Sequence, residues 1–530
     1  MAYDKKNDVV WICPNNTRGE IITVQNLRIG LPKAPPKKSM LFYEKKKKEQ
    51  YWQRESIPKN CNRDTVADYE DYIIEEFKRR KEGVWFLNNG KPTYISGSHY
   101  MYIQWSKIDI GYPEYRDANR RFFLFWEACK VDYRCYGICY LKNRRSGFSY
   151  CSASEIVNIA SSHENSVNGI LSKTGKDAQD LFTDKAVYIF RNYPWFFKPI
   201  QDGSSNPRME LAFRTPAQKI TKKNKYASID ESLNSVINWR NTASNSYDGQ
   251  KLKLLVHDES AKWMRPNSIK KNWRITRTCL LLGRKIVGKC MMGTTANAQD
   301  MGGEEYKEIY SNSDVLNRDA NGQTVSGLYS LFIPAYDNLE GFIDMYGYSV
   351  IDTPKKAIMG IDELDIEIGS KKYLSNRRKA LEGNNIDLNE FKRQFPFTEE
   401  EAFRADASKS TFDVEKIFQQ LDWLEDKKNL TVKGNFVWKN PADKKEVIWL
   451  PSKNGKFRIS LLPKEEERNN LVFRRGSYHA GNAIDYIGGC DPFDHDYTVD
   501  GRRSDGALYI YKRYNPFEEN KEVFCLEYIN

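Results

Sequence analysis

Gly137-Ile-Cys-Tyr-Leu-Lys-Asn-Arg-Arg-Ser-Gly-Phe-Ser-Tyr-Cys-Ser-Ala-Ser-Glu-Ile-Val-Asn-Ile-Ala160 is the stretch on which the fold turns. Its first five residues are a short apolar run of strand character, the next several are basic or small, and the rest reads as a helix. The same alternation continues to about residue 297. Apolar runs at 166–171 (SVNGIL), 209–214 (MELAFR), 252–257 (LKLLVH) and 285–292 (KIVGKCMM) read as strands, with helices near 150–162, 177–192 and 267–281. Short strands alternating with helices predict an α/β domain with a mainly parallel sheet covered by helices. In such sheets ligands bind beyond the carboxyl ends of the strands, so the residues directly after each strand matter most.

On either side of this region the pattern differs. Residues 1–60 hold 13 Lys+Arg against 6 Asp+Glu, with the Pro-rich PKAPPKK and the run Lys45–Lys48. Proline removes backbone donors and like charges repel, which predicts an extended basic arm with little core, either a solvated tail or an arm for DNA or a partner. Residues 61–136 form a lead-in. A helix is predicted from Asp64 to Arg80, a hairpin over VWFLNNGKPTYISGSHYMYIQW, and a second helix over 120–132. The α/β domain is placed at 137–405. A linker or subdomain at 406–480 follows, and a new block at 481–530 carries three strand-like runs suited to an antiparallel meander. A strand at LYSLFIPAY and a polar helix at 373–382 are also expected.

Composition narrows the function classes. The chain has 530 residues, 83 Lys+Arg and 71 Asp+Glu, a formal net charge of +12, and 40% apolar residues. A chain of that length is expected to split into several domains. No apolar stretch approaches the roughly 20 residues that span a bilayer, so a membrane partner is not expected. The ten cysteines are scattered without a Cys-x-x-Cys pair; they are read as reduced cytosolic thiols used mostly for packing.

The loop Lys142–Ser149 invites comparison with the phosphate-binding pattern G-x-x-x-x-G-K-[ST], whose amides cradle phosphates and whose lysine and hydroxyl serve phosphate and Mg²⁺. Aligned on Gly147, the first glycine is Lys142 and the lysine position is Phe148, so the generic motif is not met. Its physical requirements are met otherwise. Gly147 permits the turn, Ser149 is placed for the metal, and the helix start offers amides to phosphate. Lys142 can return its ammonium from the other end of the loop. Further on, Leu254-Leu-Val-His-Asp-Glu259 is an apolar strand ending in two acids. Charge at that place calls for a partner: Asp258 would hold a nucleotide-bound Mg²⁺ and Glu259 would orient and deprotonate the attacking water. A third strand runs into Gly293-Thr-Thr-Ala-Asn297, small polar residues suited to sensing the γ-phosphate.

Taken together, these segments resemble the large terminase subunit of tailed bacteriophages, over roughly residues 70–530. KNRRSGFS looks like the family's deviant Walker A loop with its lysine at the start, LLVHDE like its Walker B strand with catalytic glutamate, and GTTAN like its coupling motif. Phe395-Pro-Phe-Thr-Glu-Glu-Glu-Ala-Phe403 is similar to a stretch that follows the ATPase core in terminases, and YISGSHYMYIQW with YRDANRRFF looks most like the crAss-like phage type. The resemblance implies a P-loop NTPase of the additional-strand (ASCE) type followed by the start of an RNase H-like nuclease. In it Lys142, Gly147 and Ser149 bind ATP phosphates and Mg²⁺, Asp258 binds Mg²⁺, Glu259 activates water, and Thr294 and Thr295 couple hydrolysis to movement. Arg144 or Arg145 would stabilise developing charge. It further implies double-stranded DNA, a portal protein and a small terminase subunit as partners, a homo-oligomeric ring on the capsid, and the bacterial host cytoplasm as the place of action.

Cys490-Asp-Pro-Phe-Asp-His-Asp-Tyr-Thr498 resembles the first strand of the family's nuclease. Asp491 would be the first catalytic metal ligand and Asp496 a helper, with Mg²⁺ or Mn²⁺. The family's remaining acids lie beyond the third strand, and the sequence reaches Asn530 before them, so an incomplete nuclease is expected. Two other functions compete. One is a helicase-like nucleic-acid-stimulated ATPase, against which FPFTEEEAF and the CDPFDHDYT block argue. The other is a non-catalytic basic nucleic-acid-binding protein in which Phe148 marks a decayed site.

Overall fold

The computed structural model describes residues 2–13, 17–215, 232–295, 303–403, 431–443, 447–460, 471–481, 486–491, 507–513 and 523–529, with single positions between 417 and 424. The chain forms two units, Met1–Thr411 and Phe412–Asn530.

In the first unit, seven strands build one sheet: β1 Gly137–Leu141, β2 Val167–Leu171, β3 Glu210–Phe213, β4 Ser235–Trp239, β5 Leu254–Asp258, β6 Lys289–Thr294 and β7 Leu328–Phe332. Their order is β7-β1-β6-β5-β2-β4-β3. Every described pairing is parallel except the edge pair β3 and β4. All residues of β1 and β5 are buried, as expected of parallel strands covered on both faces. Register then decides what meets at the sheet's end. Asp258 pairs with Gly293, and Thr294 pairs with Leu141, so the loops after β1, β6 and β5 leave side by side. The mixed α/β architecture with a large, mostly parallel sheet is the one read from the alternation.

The predicted strand at 285–292 is broken. A small hairpin, Leu281–Leu282 with Lys285–Ile286, precedes β6. Gly283 turns it at φ +60°, and a Cβ on Gly288 would lie 2.1 Å from the Leu252 carbonyl oxygen, so the chain must reset there. β4 is not among the strands read from the sequence; its five residues, Ser-Val-Ile-Asn-Trp, are too short and mixed to stand out as an apolar run. The predicted hairpin over 84–105 ends at Ile95, and 97–105 is helical instead. Ser96 caps that segment by accepting the His99 amide at 3.3 Å. The buried Glu76 carboxylate accepts from Tyr100 Oη at 2.6 Å and Trp105 Nε1 at 2.8 Å, locking the turn inward.

Residues 1–60 are not an extended arm with little core. Strands Tyr3–Asp4, Val9–Trp11, Leu27–Pro32 and Arg18–Val24 form a four-stranded sheet in that order. Val10, Leu27, Ile29 and Leu31 join one apolar cluster with Phe122–Trp126 of helix α1 (Asp117–Val131) and Ile156 of helix α2 (Phe148–Ala160). Charge counted over sixty residues obscured this, because the lysines concentrate beyond Pro32 while the first 32 residues alternate apolar and polar. Helix α3, Ile269–Cys279, joins Leu255 of β5 and Cys290 and Met292 of β6 in a second apolar cluster through Ile269, Trp273 and Cys279; it caps on Ser268, whose hydroxyl accepts the Lys271 amide. Helix α4, Asn385–Gln394, leads to the FPFTEEEAF stretch. There Glu401 accepts from both terminal nitrogens of Arg378, Nη1 and Nη2, at 2.7 Å and from the Phe397 amide at 2.6 Å, while Phe403 packs on Tyr306 and Tyr310.

The second unit contains an antiparallel sheet of Val447–Pro451, Val432–Trp438, Phe457–Ile459, Val523–Ile529, Ala507–Lys512 and Tyr486–Asp491, in that order. The last three strands are the predicted meander. Because Phe457 pairs with Tyr528, the strands Val432–Trp438, Val447–Pro451 and Phe457–Ile459 belong to that same sheet, and a separate linker unit at 406–480 does not describe the fold. Long-range pairing of this kind leaves no local signal.

Candidate functional site

The β1 to α2 loop is shaped by two left-handed residues, Arg145 at φ +62° and Gly147 at φ +80°. Gly147 is the N-cap of α2, and no side chain caps that helix start. Its amides and dipole therefore favour an anion in the loop. Phe148, at the usual lysine position, is 2% exposed and packs against Phe122 and Tyr140 at 6.0 and 5.8 Å between ring centres. A Cβ on Gly293 would lie 2.5 Å from that ring. Glycine at 293 thus makes room for Phe148, and position 148 serves the core.

Lys142 occupies the cleft instead. Its Nζ lies 2.9 Å from Glu259 Oε1, and its amide donates to the Thr294 carbonyl at 3.0 Å. Glu259 adopts φ +53°, an uncommon conformation for a non-glycine residue. That turn lets consecutive acids address different partners. Ser149 Oγ donates to Asp258 Oδ2 at 2.7 Å, whereas Glu259 also meets Lys262 at 2.7 Å and accepts from Thr295 Oγ1 at 3.4 Å. Burial raises the Asp258 carboxyl above its ordinary range, against the pull of Lys142. Burial pushes Glu259 up as well, but Lys142 and Lys262 outweigh it and hold the carboxyl at about 2.

Ser149 and Asp258 form an adjacent, all-oxygen donor pair, which fits a hard cation such as Mg²⁺. Among the described residues no cluster of three or more His, Cys, Asp or Glu side chains surrounds such a position. A Mg²⁺ there would take its remaining ligands from water and from phosphate, as that ion commonly does.

The other predicted residues divide. Thr295 reaches Glu259, but the Thr294 hydroxyl is buried and engaged: it donates to the Thr295 carbonyl at 2.7 Å and accepts the Ala261 amide at 3.3 Å. Thr294 ties β6 to the turn after Glu259. Arg144 and Arg145 are exposed at the cleft rim, and Arg144 is bound to Gln394. Asp491 ends the strand Tyr486–Asp491 opposite Ala507 in the second unit. Asp496 lies outside the described residues.

The cleft, of ≈ 400 Å³, has walls the sequence reading missed. Lys185 enters from the helical stretch 175–192, Lys262 from the turn after Glu259, and Arg393 from α4. Lys262, three residues after Glu259, was legible as a local ion-pair partner; Lys185 and Arg393 arrive from distant segments. The described cysteines are all free, and eight of the nine are buried or half-buried. No helix among the described residues is long and apolar enough to cross a membrane.

No protein-family model and no curated protein sequence matches the chain. Among solved structures it is similar to the large terminase ATPase domain of Thermus phage P74-26, at 13% identity and a TM-score of 0.32, covering 51% of this chain and 90% of that one. A mutant form of the same domain aligns at 12% identity and a TM-score of 0.33, covering 50% and 89%. The large terminase of bacteriophage HK97 aligns at 12% identity and a TM-score of 0.31, over 79% of this chain and 65% of that one.

Proposed function

We propose that this chain is the ATPase of a phage DNA-packaging motor, a large terminase subunit of ASCE P-loop type that hydrolyses ATP to move double-stranded DNA into a procapsid. The observation that carries the ATPase reading is the convergence of Lys142, Ser149, Asp258 and Glu259 at the ends of β1 and β5, with β6 between them. The packaging role follows from the sequence resemblance, and the net charge of +12 suits a polyanionic track held without reading bases.

The ammonium of Lys142 pairs with Glu259 at 2.9 Å. ATP phosphates entering the loop compete for that ammonium, and α2 amides and Gly147 receive them. Mg²⁺, when bound by Ser149 and Asp258, neutralises phosphate charge. Once Lys142 turns to phosphate, Glu259 loses one of the two cations that depress its carboxyl and becomes a stronger base. It then orients a water and takes its proton as the water oxygen bonds to the γ-phosphorus; the bond to the ADP oxygen breaks and orthophosphate leaves. Thr295, in contact with Glu259, and Thr294, braced against Ala261, pass the change into β6.

The antiparallel meander with Asp491 at a strand end supports reading the second unit as RNase H-like, with a nuclease site using Mg²⁺ or Mn²⁺. A portal protein, a small subunit and further copies in a ring complete the proposed assembly in the host cytoplasm. Glu259→Gln tests the ATPase: it should bind Mg-ATP and fail to turn it over. Normal hydrolysis by that variant would sink the assignment.

A further inference from the structure

Helix α4 ends at the cleft and brings a second guanidinium to it. Arg393 lines the same cavity as Lys142 and Glu259, and its side chain is only 9% exposed. Glu390 Oε2 holds its Nη2 at 2.5 Å. The other terminal nitrogen, Nη1, is buried with no hydrogen-bond partner among the described residues. Leaving a buried donor unmatched is costly, more so when it is charged, and nearly all buried polar groups in folded proteins have partners. The cleft that Arg393 lines holds Lys142, Lys185 and Lys262 beside Asp258 and Glu259, and a guanidinium nitrogen left without a partner there is available to an anion that enters and competes for those cations.

The mount is specific. Gln394, the next residue, accepts the Arg144 amide on its backbone oxygen at 3.0 Å and Arg144 Nη1 on its side-chain oxygen at 3.0 Å. The end of α4 is thereby fastened to the phosphate loop itself, and Glu390 braces Gln394 as well as Arg393. Arg144 is thus engaged in fastening, and Arg145 is exposed.

We propose that Arg393 is the arginine that contacts the terminal phosphate, delivered within the same chain by α4, and that it stabilises the negative charge developing during hydrolysis. Arg144 is a positioning residue that keeps α4 against the loop. This inference rests on the nucleotide reading above.

The test uses the full chain and two readouts. Titration calorimetry compares ADP with ADP plus aluminium fluoride, a mimic of the transferring phosphoryl group, for wild type, Arg393→Ala and Arg393→Lys. Arg393→Ala should bind ADP as wild type does, lose about 10²-fold or more in affinity for the mimic, and lose about 10³-fold in kcat. Arg393→Lys keeps the charge but not the forked geometry and should fall between, which preserves the test if the alanine variant folds poorly. Hydrolysis by Arg393→Ala near the wild-type rate, or equal losses for ADP and the mimic, would overturn the proposal. Activity restored by mixing Arg393→Ala with Glu259→Gln chains would overturn delivery within one chain. A wild-type chain that binds neither ligand would instead bring down the nucleotide reading itself.

Discussion

Moving the lysine to its usual place should damage this protein. Phe148 holds the position that carries lysine in the common phosphate-loop pattern, so Phe148→Lys recreates that pattern on paper. In the structure the ring is 2% exposed, sits among Phe122 and Tyr140, and fills space left by Gly293. Removing a buried phenylalanine costs about 3–5 kcal/mol. A lysine stem recovers part of that contact, but its ammonium would sit among aromatic rings without an acceptor, adding at least about 1–3 kcal/mol. The expected net loss of about 3 kcal/mol or more is a large share of the 5–15 kcal/mol typical of a folded domain. Wild type, Lys142→Ala, Phe148→Lys and the double variant would be compared by thermal unfolding and by ATP titration. Lys142→Ala should weaken ATP binding far more than Lys176→Ala, whose exposed lysine pairs with Asp180 on its own helix. The double variant should be unstable and should not regain affinity. A double variant as stable as wild type that binds ATP normally would refute the assignment of the lysine role to position 142.

Acid should destabilise the first unit through two buried histidines. The ring nitrogens of His99 and His257 are buried with no hydrogen-bond partners among the described residues, and burial lowers both imidazoles from 6.5 to about 3. Unfolding below pH 6.5 lets each take up a proton that the native state refuses, so this stability is complete above 6.5 and drains as pH falls toward 3. By pH 5 the loss is about 2 kcal/mol for each. His99 stacks on Phe123 at 5.0 Å and 15°, so His99→Phe should keep the packing and remove about half of the acid sensitivity in denaturant midpoints at pH 7.5 and 5; an unchanged pH slope would count against it. Glu401→Ala should cost about 3–5 kcal/mol by stranding Arg378, which is 13% exposed. Unfolding of Glu401→Ala at the wild-type midpoint would show that the FPFTEEEAF stretch is not anchored by this pair.

Much of the candidate site was readable because its residues are local to strand ends. An apolar run followed by Lys142, another followed by Asp258 and Glu259, and a third followed by Thr294 and Thr295 are contiguous signals, and parallel-sheet physics places such loops at one edge. The N-terminal sheet was hidden for the opposite reason. Its apolar alternation, Val10 to Leu31, is short and was averaged with the lysines that follow it.

By itself the sequence determined the alternating strands and helices, the placement of the candidate residues at carboxyl ends of strands, and the failure of position 148 to carry a lysine. Tertiary structure alone decided which cations meet which acids. The left-handed turn at Glu259, the register that levels Asp258 with Gly293, and the return of α4 to bring Arg393 to the loop all depend on contacts between segments distant in the chain. Those contacts arise from burial shared across the sheet, and shared burial has no spacing that a linear pattern can display.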